Sequence, residues 1–153
     1  MELGIKGKVA LITGASRGIG MAVAKALALE GAQIIAVSRT MENLRVLLNS
    51  LPKGRHTSLE LDLEKHDALD DLQATMVSKG VDPDIIVNNV GGNLNITDPL
   101  CNIEDWRRVF RLNVEVAVDL NRRFIPKMRE KKWGRICHIS SIAGVENQGA
   151  PPY

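Results

Sequence analysis

The chain alternates short apolar runs with longer segments of helical periodicity, and this alternation constrains the fold more than any other feature. The apolar runs are bounded by glycine, proline or polar residues and are too short to be buried helices. They predict strands at residues 9–12, 34–37 and 85–87, and strands are also predicted at the less apolar segments 56–61 and 135–140.

Between these runs, apolar residues recur at three- and four-residue spacing, which is typical of helices with one buried face. Helices are predicted over residues 18–30, 41–50, 65–79 and 103–129. In the last helix the buried stripe is predicted to comprise Trp106, Phe110, Val114, Ala117, Leu120 and Phe124. Pro126 is expected to bend or end this helix, because proline removes a backbone donor.

Short strands that alternate with helices imply right-handed crossovers and a parallel sheet. Aromatic residues make up only 3% of the chain, so the core must consist of Val, Ile, Leu and Ala, as in sheets covered on both faces. The predicted fold class is therefore α/β, a Rossmann-type doubly wound parallel sheet in three layers. Such sheets bind ligands at the carboxyl ends of their strands, near the point where strand order reverses.

Composition excludes several classes of partner. The net charge is +2 and no basic block is present, so we expect neither nucleic acid nor an anionic membrane to bind. Cys101 and Cys137 lie far apart and predict neither a disulfide framework nor a metal site. No signal peptide or membrane-spanning stretch is apparent, and we expect a cytoplasmic protein.

A glycine-rich turn follows the first predicted strand and leads directly into the first helix. Its residues are Gly14, Ser16, Arg17, Gly18, Ile19 and Gly20. Glycines at these places allow a tight turn, close approach of a pyrophosphate and close packing of helix on strand, while the helix N-terminus attracts the phosphates. A plain loop is the alternative, but the strand–turn–helix context favours phosphate binding. We therefore expect residues 1–153 to form a single dinucleotide-binding domain.

The second strand ends in Ser38 and Arg39, without the acid that commonly holds the ribose 2′-hydroxyl of NAD. A guanidinium there would pair with a 2′-phosphate, and Arg17 could converge on the same group. The alternative is that both arginines are solvated surface residues. Their joint placement, with the acid absent, predicts NADP(H) in preference to NAD(H).

The spacing Thr-Gly-x-x-x-Gly-x-Gly at residues 13–20 resembles that of the short-chain dehydrogenase/reductase family, and the resemblance extends over essentially the whole chain. It implies that basic residues at positions 17 and 39 select NADP, and that Asp62 and Leu63 surround the adenine ring. Asp62 could equally serve as the N-cap of the following helix.

Residues 88–91 resemble the family's Asn-Asn-Ala-Gly pattern, with Val90 as a conservative departure. The resemblance implies that Asn89, Val90 and Gly91 lie beside the bound cofactor. Buried amides need hydrogen-bond partners, so we expect Asn88 and Asn89 to tie neighbouring strands together.

The resemblance also assigns residues to the chemistry. Asn113 would hold a water in a proton relay, although a satisfied core asparagine is the alternative. Ser141, the second serine of the pair, would hold the carbonyl oxygen. Ser140 is the other choice, because Tyr153 follows Ser141 by 12 residues and Ser140 by 13, and 13 is the family's usual spacing from the second serine. Tyr153 would act as the general acid. His138 and Cys137 are expected to be packing residues on a buried strand.

Together these features predict an NADP(H)-dependent oxidoreductase that moves a hydride between nicotinamide and a small carbonyl or alcohol substrate, similar to 3-oxoacyl reductases. A non-catalytic module that binds NADP(H) without turnover is the alternative. The family's lysine, four residues after the tyrosine, and the C-terminal part of its fold lie beyond Tyr153. We therefore expect a truncated portion of a longer, homo-oligomeric enzyme, with no measurable carbonyl reduction by residues 1–153 alone.

Overall fold

A computed structural model describes residues 3–142 and residue 145. Its elements, in chain order, are β1 (Val9–Thr13), α1 (Gly18–Leu29), β2 (Gln33–Ser38), α2 (Met41–Ser50), β3 (Thr57–Glu60), α3 (Ala68–Ser78), β4 (Ile85–Asn88), α4 (Ile103–Phe110), α5 (Val116–Glu130) and β5 (Arg135–His138). One π-helical turn, Arg111–Glu115, joins α4 to α5.

The strands form one parallel sheet in the order β3-β2-β1-β4-β5. After β1 the chain extends the sheet outward through β2 and β3, and it then crosses to the other side of β1 to form β4. The loops that follow β1 and β4 therefore diverge at the carboxyl edge of the sheet, which opens a crevice there. The predicted Rossmann-type doubly wound fold is confirmed.

Helices cover both faces of the sheet because successive residues of each strand point to opposite sides. In β1, Ala10 and Ile12 pack on the face covered by α1 and α2, whereas Leu11 packs on the face covered by α3 and α5. The helices contribute buried aliphatic side chains to each layer: Ala24, Ala28, Leu44 and Leu47 on the first face, and Leu69, Leu72, Leu120 and Phe124 on the second.

The predicted helix over residues 103–129 is divided by the π-helical turn, and half of its predicted buried stripe was wrong. Leu120 and Phe124 are buried, but Trp106, Phe110 and Val114 are 39%, 42% and 41% exposed. A π turn inserts an extra residue, which shifts the helix phase between its two halves. The buried positions of this region that were not predicted are Val109, Leu112, Val116 and Met128.

Three smaller expectations also change. Of the two effects expected of Pro126, it does not end α5, which continues to Glu130, and the bend stays a prediction. The third helix begins at Ala68 and not at residue 65. Cys137 and His138 are exposed and are not packed on a buried strand, because β5 pairs only with β4 among the described residues. Within the described part of the chain, no helix is long and apolar enough to span a membrane.

Candidate functional site

A cavity of about 440 Å³ opens at the carboxyl edge of the sheet, between the loops that follow β1, β2, β3 and β4. It is lined by almost all the residues that the sequence predicted for cofactor binding: Gly14, Ser16, Arg17, Gly18, Ile19, Ser38, Arg39, Asp62, Leu63, Asn89, Val90 and Gly91. The remaining one, Gly20, is buried beside the cavity. Sequence reasoning missed Val37, Leu61, Glu64 and Leu112 as lining residues, whereas Asn93, Leu94 and Asn95 belong to the loop after Gly92 that was expected to line a substrate pocket.

The glycine-rich turn is closed tightly on itself. Gly14 has a φ of +64°, a conformation that side chains with a Cβ rarely adopt. A Cβ at Gly20 would lie 2.4 Å from the carbonyl oxygen of Gly14. No larger residue fits at position 20 without moving the backbone, so β1 and α1 meet as a phosphate-binding turn requires.

The N-terminus of α1 presents backbone donors to the cavity. Arg17 is its N-cap in an extended conformation, and no side chain of the described residues caps the helix. The first amides of a helix have no intrahelical acceptor. The first turn contains no acidic residue. Free N–H groups together with the positive end of the helix dipole suit an anion, as a pyrophosphate would be.

Positive charge is concentrated where β1 and β2 end. Arg17 and Arg39 both line the cavity and are exposed, and neither forms an ion pair with any residue that the structure describes. Ser16 and Ser38 add hydroxyl groups beside them. This part of the cavity can therefore offer two guanidinium groups to a ligand anion.

A network around Thr13 fixes the floor of the cavity. The Thr13 hydroxyl accepts hydrogen bonds from the backbone amides of Asn89 and Val90, each at 3.0 Å. The Asn89 side chain donates to the carbonyl oxygens of Thr13 and Gly14 at 2.9 and 3.2 Å. Asn89 thus joins the ends of β1 and β4, as predicted.

Asn88 bonds to a helix and not to a neighbouring strand. Its side-chain amide donates to Asn121 of α5 at 3.2 Å, and the Asn121 amide lies 3.3 Å from His138 Nε2. The expected strand-to-strand role of the Asn88 side chain was therefore wrong. Asn88 follows Ile86 by two residues in β4 and therefore points to the same face of the sheet, which α3 and α5 cover.

Asn113 lies within the π-helical turn, and both polar atoms of its side-chain amide form hydrogen bonds. It accepts from the amide of Gly92 at 2.9 Å and donates to the carbonyl oxygens of Gly92 and Val109 at 2.8 Å each. Gly91 passes so close that a Cβ there would lie 2.8 Å from Asn113 Oδ1. The turn therefore anchors the loop after β4, and the water-holding role of Asn113 stays a prediction.

The loop after β3 is bound to α4 and the π-helical turn by two arginines. Arg108 forms an ion pair with Glu64, and Arg111 donates to the backbone carbonyl oxygens of Glu64 and Lys65. The hydrogen bond and charge of Glu64 raise the pKa of the Arg108 guanidinium above its ordinary value. Asp62 is not the N-cap of α3, which starts later; its carboxylate accepts from the Glu64 amide at 3.2 Å.

The two candidate serines follow β5. The Ile139 amide donates to the Asn88 carbonyl oxygen at 2.9 Å, which extends the parallel pairing to the residue before Ser140. Ser140 and Ser141 are exposed just beyond the ends of β4 and β5. Tyr153 lies outside the described residues, so the structure does not choose between the serines.

The sequence profile described as short chain dehydrogenase matches residues 8–153. A fatty acyl-CoA reductase of Acinetobacter baylyi is 35% identical over 147 residues, which cover 94% of this chain and 50% of that protein. The chain spans about half the length of the curated relatives it matches.

Solved structures share both fold and sequence with the chain. L-sorbose reductase from Gluconobacter frateurii, complexed with NADPH and L-sorbose, has a TM-score of 0.89 and 36% identity over 99% of this chain and 59% of its own. A 7α-hydroxysteroid dehydrogenase complexed with NADH and a 7-oxo bile acid conjugate has a TM-score of 0.85 and 28% identity, covering 94% of this chain and 57% of its own.

Proposed function

Since the chain belongs to the short-chain dehydrogenase family of oxidoreductases, we propose that it is the dinucleotide-binding part of an NADP(H)-dependent reductase or dehydrogenase. The observation that carries the proposal is the placement of Arg17 and Arg39 in the cavity, with no acidic residue at the end of β2. A 2′-phosphate would neutralise both guanidinium groups, whereas a 2′-hydroxyl would leave them without a counterion.

The turn after β1 suits the pyrophosphate of such a cofactor. Gly14 and Gly20 bring the backbone close, and the uncapped N-terminus of α1 offers N–H donors. Asp62 and Leu63 line the cavity on the side of β3, where we place the adenine ring. Asn89, Val90 and Gly91 line the side of β4, where we place the nicotinamide half.

The similar proteins do not choose the cofactor by themselves. The L-sorbose reductase was solved with NADPH, and the 7α-hydroxysteroid dehydrogenase was solved with NADH. The preference for NADP(H) in this chain rests on its own two arginines.

When bound, NADP(H) would exchange a hydride with the carbonyl or alcohol carbon of a small-molecule substrate. We assign to Tyr153 the transfer of a proton to the substrate oxygen, and to Ser141 a hydrogen bond that holds this oxygen. A free phenol has a pKa of about 10, so Tyr153 needs a neighbouring positive charge to exchange its proton at neutral pH. A 3-oxoacyl compound or a related carbonyl is our proposed substrate class.

We further propose that the protein is a homo-oligomer. Four apolar residues follow one another at four-residue spacing from α4 through the π-helical turn into α5, and all are at least 39% exposed: Trp106, Phe110, Val114 and Val118. The rings of Trp106 and Phe110 stack with centroids 6.0 Å apart. A continuous exposed apolar stripe of this kind is typical of a surface covered by a second copy. A cytoplasmic location and a single domain over residues 1–153 stay predictions.

The cofactor proposal is tested by replacing both arginines. Two charge-assisted hydrogen-bonding groups are lost in Arg17→Ala/Arg39→Ala, so we expect the Kd for NADPH to rise roughly a hundredfold, with NADH affected less than threefold. Arg45→Ala in α2 removes an exposed arginine that does not line the cavity and is the matched control. Equal losses for NADPH and NADH would contradict the proposal, and so would a wild-type protein that binds neither.

A further inference from the structure

We propose that Arg111 is a positioning residue for cofactor binding, which holds the loop after β3 so that Asp62 and Leu63 stand at the adenine side of the cavity. The inference deepens the proposed function and depends on it. It rests on three observations: the contacts of Arg111 with the loop, the burial of its side chain, and its place in the π-helical turn.

The Arg111 guanidinium contacts the backbone of the loop. Its Nε donates to the Glu64 carbonyl oxygen at 3.1 Å, and its Nη2 donates to the Lys65 carbonyl oxygen at 3.0 Å. The remaining donor, Nη1, lies 3.5 Å from a Glu115 carboxylate oxygen. The planar guanidinium thus binds two successive carbonyl groups of the loop, and this contact fixes the orientation of the backbone between them.

Burial separates this contact from an ordinary surface ion pair. The Arg111 side chain is 14% exposed, whereas that of Arg108 is 49% exposed. Exposed ion pairs contribute little, because solvent screens them and both side chains lose freedom. The hydrogen bonds of a largely buried guanidinium to backbone carbonyl groups hold a loop more firmly. Arg108 adds a second contact with the same loop through the Glu64 carboxylate.

The loop has few other long-range restraints. The Leu61 amide donates to the Ser38 carbonyl oxygen at 2.9 Å, and among the described residues the Asp62 carboxylate bonds only to the Glu64 amide, within the loop. Asp62 therefore lies between one backbone bond to β2 and the pair of carbonyl groups that Arg111 binds. Without Arg111, the side of the cavity formed by Asp62 and Leu63 would keep only the backbone bond to β2, the packing of Leu63 and the exposed ion pair between Arg108 and Glu64.

One turn thus holds two sides of the cavity. Arg111 is the first residue of the π-helical turn and binds the loop after β3, while Asn113 in the same turn binds Gly92 in the loop after β4. Leu112 lies between them and lines the cavity. The adenine side and the nicotinamide side therefore share one rigid support.

The test is the affinity of the protein for 2′,5′-ADP, which carries only the adenine half of the cofactor, and for NADPH. Arg111→Met keeps the length and apolar stem of the side chain but removes every donor. We expect it to raise both Kd values by the same factor, roughly tenfold, as loss of hydrogen bonds from a charged group to ordered carbonyls would. Arg107→Met is the control, because Arg107 lies in the adjoining helix α4 and pairs with Glu104 on its exposed side.

A second comparison separates positioning from general stability. If Arg111 acts through the loop, then Asp62→Ala/Arg111→Met should bind no more weakly than the weaker of its two single variants. Should Arg111→Met fail to fold, Arg111→Lys serves instead, with an expected rise of roughly threefold because an ammonium cannot reproduce the planar two-carbonyl contact.

Wild-type affinity for 2′,5′-ADP in a folded Arg111 variant would overturn the inference, as would an equal loss in Arg107→Met or additive losses in the double variant. A wild-type protein that binds neither ligand would instead overturn the proposed function, so the two failures are distinguishable.

Discussion

Gly20 lies against Gly14 so closely that a Cβ on Gly20 would be 2.4 Å from the Gly14 carbonyl oxygen. This contact joins the first turn of α1 to the end of β1. It brings the uncapped helix terminus to the carboxyl edge of the sheet, where the cavity opens.

Gly20→Ala should therefore destabilise the protein by about 3 kcal/mol or prevent folding, because the backbone cannot yield as a side chain does. Gly18→Ala is the control. Gly18 has a φ of +54° but open space around it, so this variant should cost only about 1 kcal/mol of conformational strain. Urea unfolding of both variants measures the difference. Equal losses of unfolding free energy in the two variants would contradict this prediction, because they would mean that the backbone adjusts to the Cβ at position 20.

Thr13→Val tests the hydroxyl that organises the cavity floor. Thr13 is fully buried, and its oxygen accepts from two backbone amides, which valine cannot do. We expect a loss of about 2 kcal/mol in unfolding free energy, since buried donors without acceptors are costly. Thr13→Ser retains the hydroxyl and should lower the unfolding free energy by only about 1 kcal/mol, because it removes a buried methyl group. A valine variant as stable as the serine variant would contradict this interpretation of the network.

Asn113→Ala tests the anchor of the loop after β4. The change removes three hydrogen bonds, two of them to Gly92. Hydrogen exchange at the Gly92 amide should accelerate by roughly tenfold or more, because its acceptor is lost. Asn102→Ala removes the side-chain cap of α4 and controls for a general loosening of that helix. Unchanged exchange at Gly92 in the Asn113 variant would show that other contacts hold the loop.

Trp106→Glu/Phe110→Glu tests the proposed oligomer. Two negative charges in the exposed apolar stripe should convert the assembly to monomers, because charges that are buried in an interface without partners oppose association. Sedimentation velocity measures the mass. Val77→Glu replaces an apolar residue of α3 that is 70% exposed and should leave the assembly intact. An unchanged mass in the double variant would place the interface elsewhere.

The strands and the glycine-rich turn could be predicted from sequence because their signals are local. The run from Val9 to Ile12 is too short for a helix, and the glycines that follow fix both a turn and the start of α1. The arginines at positions 17 and 39 could be placed in the cavity because parallel strands end at the same edge of a sheet.

The π-helical turn could not be predicted in this way. Two stripes of apolar residues at four-residue spacing run through residues 103–130. One contains Trp106 and Phe110, and the other contains Val116 and Leu120. Either could face the core, and an inserted residue changes which one does. Only the packing of α5 on the sheet decides that Val116 is buried and Phe110 is exposed.

The contact between Arg111 and the loop after β3 was also beyond sequence reasoning. A charged residue on a helix is usually solvated, and its partners Glu64 and Lys65 are 47 and 46 residues away. The sequence contains no periodic signal for such a contact, which depends on how α4 lies over the loop.

The most direct test of the central claim is a calorimetric titration of the unaltered protein with NADP⁺ and with NAD⁺ under identical salt and pH. The two ligands differ only in the 2′-phosphate, so their difference reports the contribution of Arg17 and Arg39. The account predicts that NADP⁺ binds at least roughly tenfold more tightly, the effect of one charge-assisted contact. Equal affinity, or tighter binding of NAD⁺, would contradict it.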